Sequence, residues 1–236
     1  MILLDNVTIT RGHTRVASQL RLEIGPGEAV AMIGRSAAGK TALVETIAGL
    51  LAPQSGRVEL AAAAGQEALR VGYAPADSAA WPVMRADEFL EMAGLAAGLV
   101  GKSLRLAVAR GLGFADCDLL RDRRLDSLSD GQRKRLLVAA TLLHDPDLLV
   151  WDDPMRGLDI AGRTDVEQVV ADLTLAGGSV VAALNDAQIG PCWTRVLLLV
   201  DGSILDTGNR HQQTTDGWPV WSLEPLAAWR RAIAQG

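Results

Sequence analysis

Residues 29–41 read Ala29-Val30-Ala31-Met32-Ile33-Gly34-Arg35-Ser36-Ala37-Ala38-Gly39-Lys40-Thr41, an apolar run of strand length feeding a G-x-x-x-x-G-K-[ST] loop and then a helix-like stretch. The setting gives the loop its chemistry. Gly34 and Gly39 let successive backbone N–H groups curl around phosphates, and the helix opening there adds the positive end of its dipole. Lys40 reaches the outer phosphates, and the Thr41 hydroxyl holds Mg²⁺. Only three lysines occur in the 236 residues, Lys40, Lys102 and Lys134, so a chance match is disfavoured, as is a mere glycine turn capping an ordinary helix. The residues expected to hold a nucleoside triphosphate are therefore Gly34, Arg35, Ser36, Ala37, Ala38, Gly39, Lys40 and Thr41.

Outward from the loop, Ile2 to Ile24 reads as two short strands around the turn-like Arg11-Gly12-His13, with alternation clearest over 20–24. Beyond it, Leu43, Ile47 and Leu50 fall at helical spacing, and Pro53 and Gly56 stop the helix. Strands are expected at 56–60 and 69–73, joined by a small-residue connection at 61–65. From about Pro82 to Leu143, Ala and Leu are abundant and β-branched residues scarce, which predicts a helical lobe inserted into an α/β core. The core resumes with a buried strand at 148–151, a helix at 166–175 and a strand at 179–184. A hairpin of 196–200 and 203–207 then turns at Asp201-Gly202. Residues 209–236 form a tail with Trp218, Trp221 and Trp229 but no recognisable motif.

At 49% hydrophobic residues the chain can bury a sizeable core, so a disordered or fibrous chain is excluded. A net charge of −5 argues against nucleic acid as a partner, which needs a basic face to release counterions. The short runs Arg121-Asp122-Arg123-Arg124 and Arg133-Lys134-Arg135 read as solvated faces. Cys117 and Cys192 form no C-x-x-C pair, and His13, His144 and His211 are scattered, so disulfides and a zinc site are disfavoured. No stretch approaches eighteen apolar residues, and the first residues lack a signal-peptide pattern.

Three further segments follow the loop in order. Leu128-Ser129-Asp130-Gly131-Gln132 resembles the L-S-G-G-Q signature of ABC transporter ATP-binding subunits, with Asp130 in place of the first glycine. Strand 148–151 with Asp152 resembles their Walker B element, and Gly157-Leu158-Asp159 their D-loop. Nineteen residues separate Gln132 from Asp152, as is usual in the family. The resemblance covers residues 1–208. It implies a P-loop NTPase core of ABC-ATPase type, with an N-terminal antiparallel β subdomain and the helical lobe of about 82–143 inserted. It further implies Mg–ATP, with Thr41 and Asp152 on the metal, sandwiched between the phosphate loop of one domain and the Leu128–Gln132 signature of another. Ser129 and the N–H groups around Gly131 would meet the partner's nucleotide, and Asp130 is expected to turn away and cap its own helix.

The resemblance departs where water is activated. The family's glutamate base is here Asp153, shorter by one methylene, which retracts the carboxylate by roughly 1.5 Å. A misplacement of about 1 Å can cost on the order of a hundredfold. Ala76 stands where the Q-loop glutamine would be, Asn185 where the switch histidine would be, and Arg11 where an aromatic residue usually stacks on adenine. A guanidinium can also stack on a base.

Binding is thus expected to be retained and hydrolysis at Asp153 and Asn185 weakened, which favours a heteromeric pair of ATPase domains over a homodimer. The implied partners are that second domain and transmembrane permease subunits, with the chain cytoplasmic and peripheral on the inner face of the membrane. The alternative is a soluble ABC-type ATPase serving as an ATP-gated clamp or regulator; a P-loop kinase is disfavoured by residues 128–132.

Overall fold

The apolar run at 29–33 becomes β3 of a computed structural model that describes residues 1–62, 68–76, 83–114, 119–185, 189–209, 214–215 and 218–219. In chain order the elements are β1 (Ile2–Arg11), β2 (Thr14–Ile24), β3 (Ala29–Gly34), α1 (Lys40–Ile47), β4 (Ser55–Leu60) and β5 (Val71–Ala74). The lobe contributes α2 (Ala86–Ala96), α3 (Gly101–Gly113) and α4 (Asp130–Leu142). After it come β6 (Leu148–Asp152), α5 (Ile160–Leu175), β7 (Ser179–Leu184), β8 (Arg195–Val200) and β9 (Ser203–Asn209), then the two-residue β10 (Thr214–Thr215) and β11 (Trp218–Pro219).

The main sheet has the order β5-β6-β7-β3-β8-β9, parallel except for the antiparallel edge strand β9. All six residues of β3 are buried. A strand covered on both faces needs apolar residues at every position, which is why 29–33 shows no alternation. Val30 and Met32 face a core shared with α1 and the second sheet, whereas Ala29, Ala31 and Ile33 face a core that also holds Trp151, Val166 and Trp193.

The second sheet is antiparallel, ordered β2-β1-β4, with Ile2 opposite both Ile24 and Leu60. Its first two strands are long rather than short, of 10 and 11 residues. Bulges disguise them: the register shifts between Leu4 and Val7, where Asn6 sits at φ 53°, so the period-2 pattern breaks although pairing continues. Two helix boundaries also differ from expectation. The first helix ends at Ile47, and Leu50 is 63% exposed beyond it. The helix expected at 166–175 begins six residues earlier, at Ile160.

In the lobe, Phe89, Leu90, Leu112, Leu125 and Leu136 form a separate core. Its last helix, α4, also serves the main sheet, since Val138 packs among the β-strand side chains. Gly72 on β5 allows this, because a Cβ there would lie 2.6 Å from the Thr141 carbonyl oxygen. Residues 63–65 of the expected connection, together with Pro82, Cys117, His211, Trp221 and Trp229, lie outside the described residues.

Candidate functional site

The phosphate-loop sequence folds as a tight turn between β3 and α1. Gly39 caps α1 at φ 99°, a left-handed conformation that glycine adopts without cost, and Ala38 N–H donates to the Arg35 carbonyl at 3.1 Å. Ala37 is also left-handed, at φ 63°, without the freedom of a glycine. The Lys40 ammonium turns back over the loop and donates to the carbonyls of Gly34 (2.9 Å) and Arg35 (3.0 Å). Burial lowers its pKa, an effect opposed by the charges of Asp152 and Asp153.

Thr41 Oγ1 donates to Asp152 Oδ2 at 2.7 Å, joining residues 111 apart in sequence. The sheet makes the meeting: β3 and β6 both flank β7 and run parallel, so their C-terminal ends open on one side. Asp153 follows, buried and left-handed at φ 51°, with its N–H on the Ala183 carbonyl at 2.8 Å. Its Oδ2 accepts from Asn185 Nδ2 at 2.6 Å. Lys40, Thr41, Asp152, Asp153 and Asn185 are therefore brought to one end of the sheet.

The Ala76 side chain brings no polar group to the site, but its carbonyl accepts from Lys134 Nζ at 2.7 Å. Arg11 lies at the end of β1 and pairs with Glu45 of α1 at 3.4 Å. Beside them Tyr73 has its pKa pushed up to about 12, chiefly by burial and further by the negative charges of Glu45 and Asp152.

The signature segment starts α4. Ser129 Oγ accepts from Gln132 N–H at 3.2 Å while Gln132 Oε1 accepts from Ser129 N–H at 2.9 Å, a reciprocal cap. Asp130 does turn outward, but it does not cap: the cap is Ser129, and the Asp130 carboxylate pairs with Arg133 one turn on. Leu128 is buried in the lobe core, and a Cβ on Gly131 would lie 3.1 Å from the Gly157 carbonyl oxygen, so this turn packs against residues 157–159. Asp159 caps α5 by accepting from Gly162 N–H at 2.8 Å, and it also accepts from Arg135 at 3.0 Å. The Gly162 N–H foremost, with help from the Arg135 charge, holds its carboxyl below the usual range.

The family model for ABC transporters matches residues 17–156, more than half of the chain. The chain belongs to the ABC transporter family. It is 28% identical over 97% of its length to YxlF of Bacillus subtilis, an uncharacterized ABC transporter ATP-binding protein, covering 79% of that protein. It is 34% identical over 73% of its length to the zinc import ATP-binding protein ZnuC of Pseudomonas syringae, of which it spans 62%. With the Nod factor export ATP-binding protein I of Cupriavidus metallidurans it shares 32% identity over 90% of its own length and 72% of the relative's. Among solved structures, the ADP- and phosphate-bound dimeric cassette MJ0796 has the same fold, with a TM-score of 0.77 at 23% identity over 86% of this chain and 96% of that one.

Lys134, Arg135, Glu45 and Tyr73 of this ABC-family chain belong to none of the motifs in its sequence, yet they lie beside the motif residues in the fold. Lys134 and Arg135 belong to a basic run whose composition reads as a solvated face, yet Lys134 is buried. A lysine and an arginine on adjacent helical positions point in different directions, so each can serve a different neighbour; that spacing was the available signal. Nothing in the local sequence marks Glu45 or Tyr73, because their proximity arises only when α1 and β5 pack.

Proposed function

We propose that this chain is the ATP-binding subunit of an ABC transporter, capturing Mg–ATP at Gly34–Thr41 and coupling it to motion of separate membrane subunits. The observation that carries this reading is the 2.7 Å contact between Thr41 and Asp152, beside the Lys40 ammonium. One hydroxyl and one carboxylate are hard oxygen donors of the kind Mg²⁺ takes when phosphates complete its shell. The ion would neutralise phosphate charge; Lys40 and the loop N–H groups orient the phosphates.

A second ATPase domain completes each site. Ser129, at the N-terminus of the 13-residue α4, presents a hydroxyl and a positive helix end suited to a phosphate held by that partner. Hydrolysis on this chain's own side is weak. The Asp153 carboxylate is shorter than a glutamate and already engaged by Asn185 at 2.6 Å, and Ala76 contributes no side-chain polar group to orient water. A partner with a complete catalytic set, served by this chain's signature, fits that asymmetry.

Among the described residues no helix is long and apolar enough to cross a membrane. By the organisation usual in the family, the chain works peripherally, on the cytoplasmic face, through permease subunits. Cargo and direction belong to those subunits, in keeping with relatives named for zinc import and for Nod factor export. Nucleotide affinity measured with Mg²⁺ and with EDTA tests the reading. Removing the metal weakens binding in the wild type but changes little in Thr41→Val; equal dependence in both contradicts the metal-holding role of Thr41.

A further inference from the structure

The helix that presents Ser129 is tied along its length to β5, the edge strand of the main sheet. Near its C-terminal end His144 Nε2 lies 3.3 Å from the Val71 carbonyl, and Thr141 passes directly over Gly72. At the signature end Lys134 Nζ donates to the carbonyls of Pro75 (3.3 Å) and Ala76 (2.7 Å), the first residues beyond β5. Lys134 is 5% exposed. An ammonium is costly to bury unless its protons are given to acceptors, so this contact is a placed feature rather than a solvated face.

The carbonyls that Lys134 grips follow the strand next to β6, and β6 is the strand that reaches the nucleotide loop through a side-chain contact. Ala74 pairs with Trp151 on β6, and β6 ends at Asp152, the acceptor of the Thr41 hydroxyl. The opposite flank of the same helical turn is set by Gly157 against Gly131 and by Asp159 on Arg135, in the segment that follows Asp152 and Asp153. Both flanks of the signature turn thus rest on chain that leaves the adjacent strands β5 and β6, the second of which ends at the Thr41 contact.

We propose that Lys134 is a positioning residue that ties the Ser129–Gln132 turn to the nucleotide loop of its own chain, so that loading the loop is felt at the segment offered to the partner. This rests on the reading that Gly34–Thr41 binds Mg–ATP. A lysine that only stabilises packing would, when removed, speed amide exchange in α4 equally with and without nucleotide. A link instead removes the difference that nucleotide makes.

Hydrogen exchange on the full-length chain, with and without Mg–ATP, separates the two. At a nucleotide concentration about ten times Kd, wild-type amides of the loop exchange about tenfold more slowly, since their opening requires nucleotide release. A slowing of several-fold is expected in the wild type at residues 130–134. In Lys134→Met and in Lys134→Gln the loop keeps its slowing, which also certifies the fold of each variant, while residues 130–134 lose theirs; Lys134→Arg, with donors retained, keeps both. The proposal is overturned if residues 130–134 slow equally in Lys134→Met and wild type, or do not slow in the wild type while the loop does. Absence of any slowing at 34–41 in the wild type overturns the Mg–ATP reading itself, and this proposal with it.

Discussion

Asp153 combines burial, a left-handed backbone and a bond to Asn185, and a non-glycine residue in that conformation costs on the order of 1–3 kcal/mol. Such strain is retained where the surroundings over-determine the geometry. If the retracted carboxylate limits the rate, Asp153→Glu raises ATP turnover in the assembled complex; an unchanged or lower rate assigns the limit to Ala76 or Asn185. Ala37 carries the same strain inside the phosphate loop. Left-handed alanine costs about 1–2 kcal/mol, against about 0.5–1 kcal/mol for the extra entropy that glycine loses on folding. Ala37→Gly should therefore gain up to about 1 kcal/mol, a rise of roughly 2–4 °C in melting temperature; a fall would show that the loop is held without strain. Tyr73 supplies a pH dependence. Its pKa is raised in the fold from 10.0 to about 12, so the stabilisation is complete below pH 10 and disappears as pH climbs toward 12. Denaturation midpoints across that window should fall more steeply for the wild type than for Tyr73→Phe.

At the scale of elements, packing decides what the local sequence leaves open. The apolar run at 29–33 and the hairpin at Asp201-Gly202 were legible because their burial pattern and turn chemistry are local. The start of α5 was not: its first turn holds an 86% exposed Ile160 and is fixed by the Asp159 cap and its Arg135 contact, neither of which leaves an apolar period. The length of β1 and β2 was hidden for the opposite reason, since bulges interrupt alternation without ending the pairing. The approach of β5 to α4 is equally nonlocal. It makes Gly72 intolerant of a side chain: with a Cβ placed 2.6 Å from the Thr141 carbonyl oxygen, Gly72→Ala should destabilise by about 1–3 kcal/mol. Chemical denaturation measures this, and a loss within ~0.3 kcal/mol would show that helix and strand can part.

Across the whole molecule, the parallel sheet gathers Lys40, Thr41, Asp152, Asp153 and Asn185 at one end, while the signature turn is carried by a lobe with a hydrophobic core of its own. Under the proposed function, this division calls for a second domain whose signature turn meets the nucleotide held at Lys40 and Thr41. The chain should accordingly co-purify from membranes with a polytopic subunit and another ATPase domain; recovery solely as a soluble assembly would favour a clamp or regulator. Everything else depends on nucleotide capture by the loop that Lys40 closes. Titration of a fluorescent ATP analogue in the presence of Mg²⁺ should show saturable binding to the wild-type chain. Lys40→Ala should weaken it by about tenfold or more, through loss of a charge-assisted bond worth ~1.5–3 kcal/mol, whereas undiminished binding by Lys40→Ala would contradict the assignment of Gly34–Thr41 as the phosphate site.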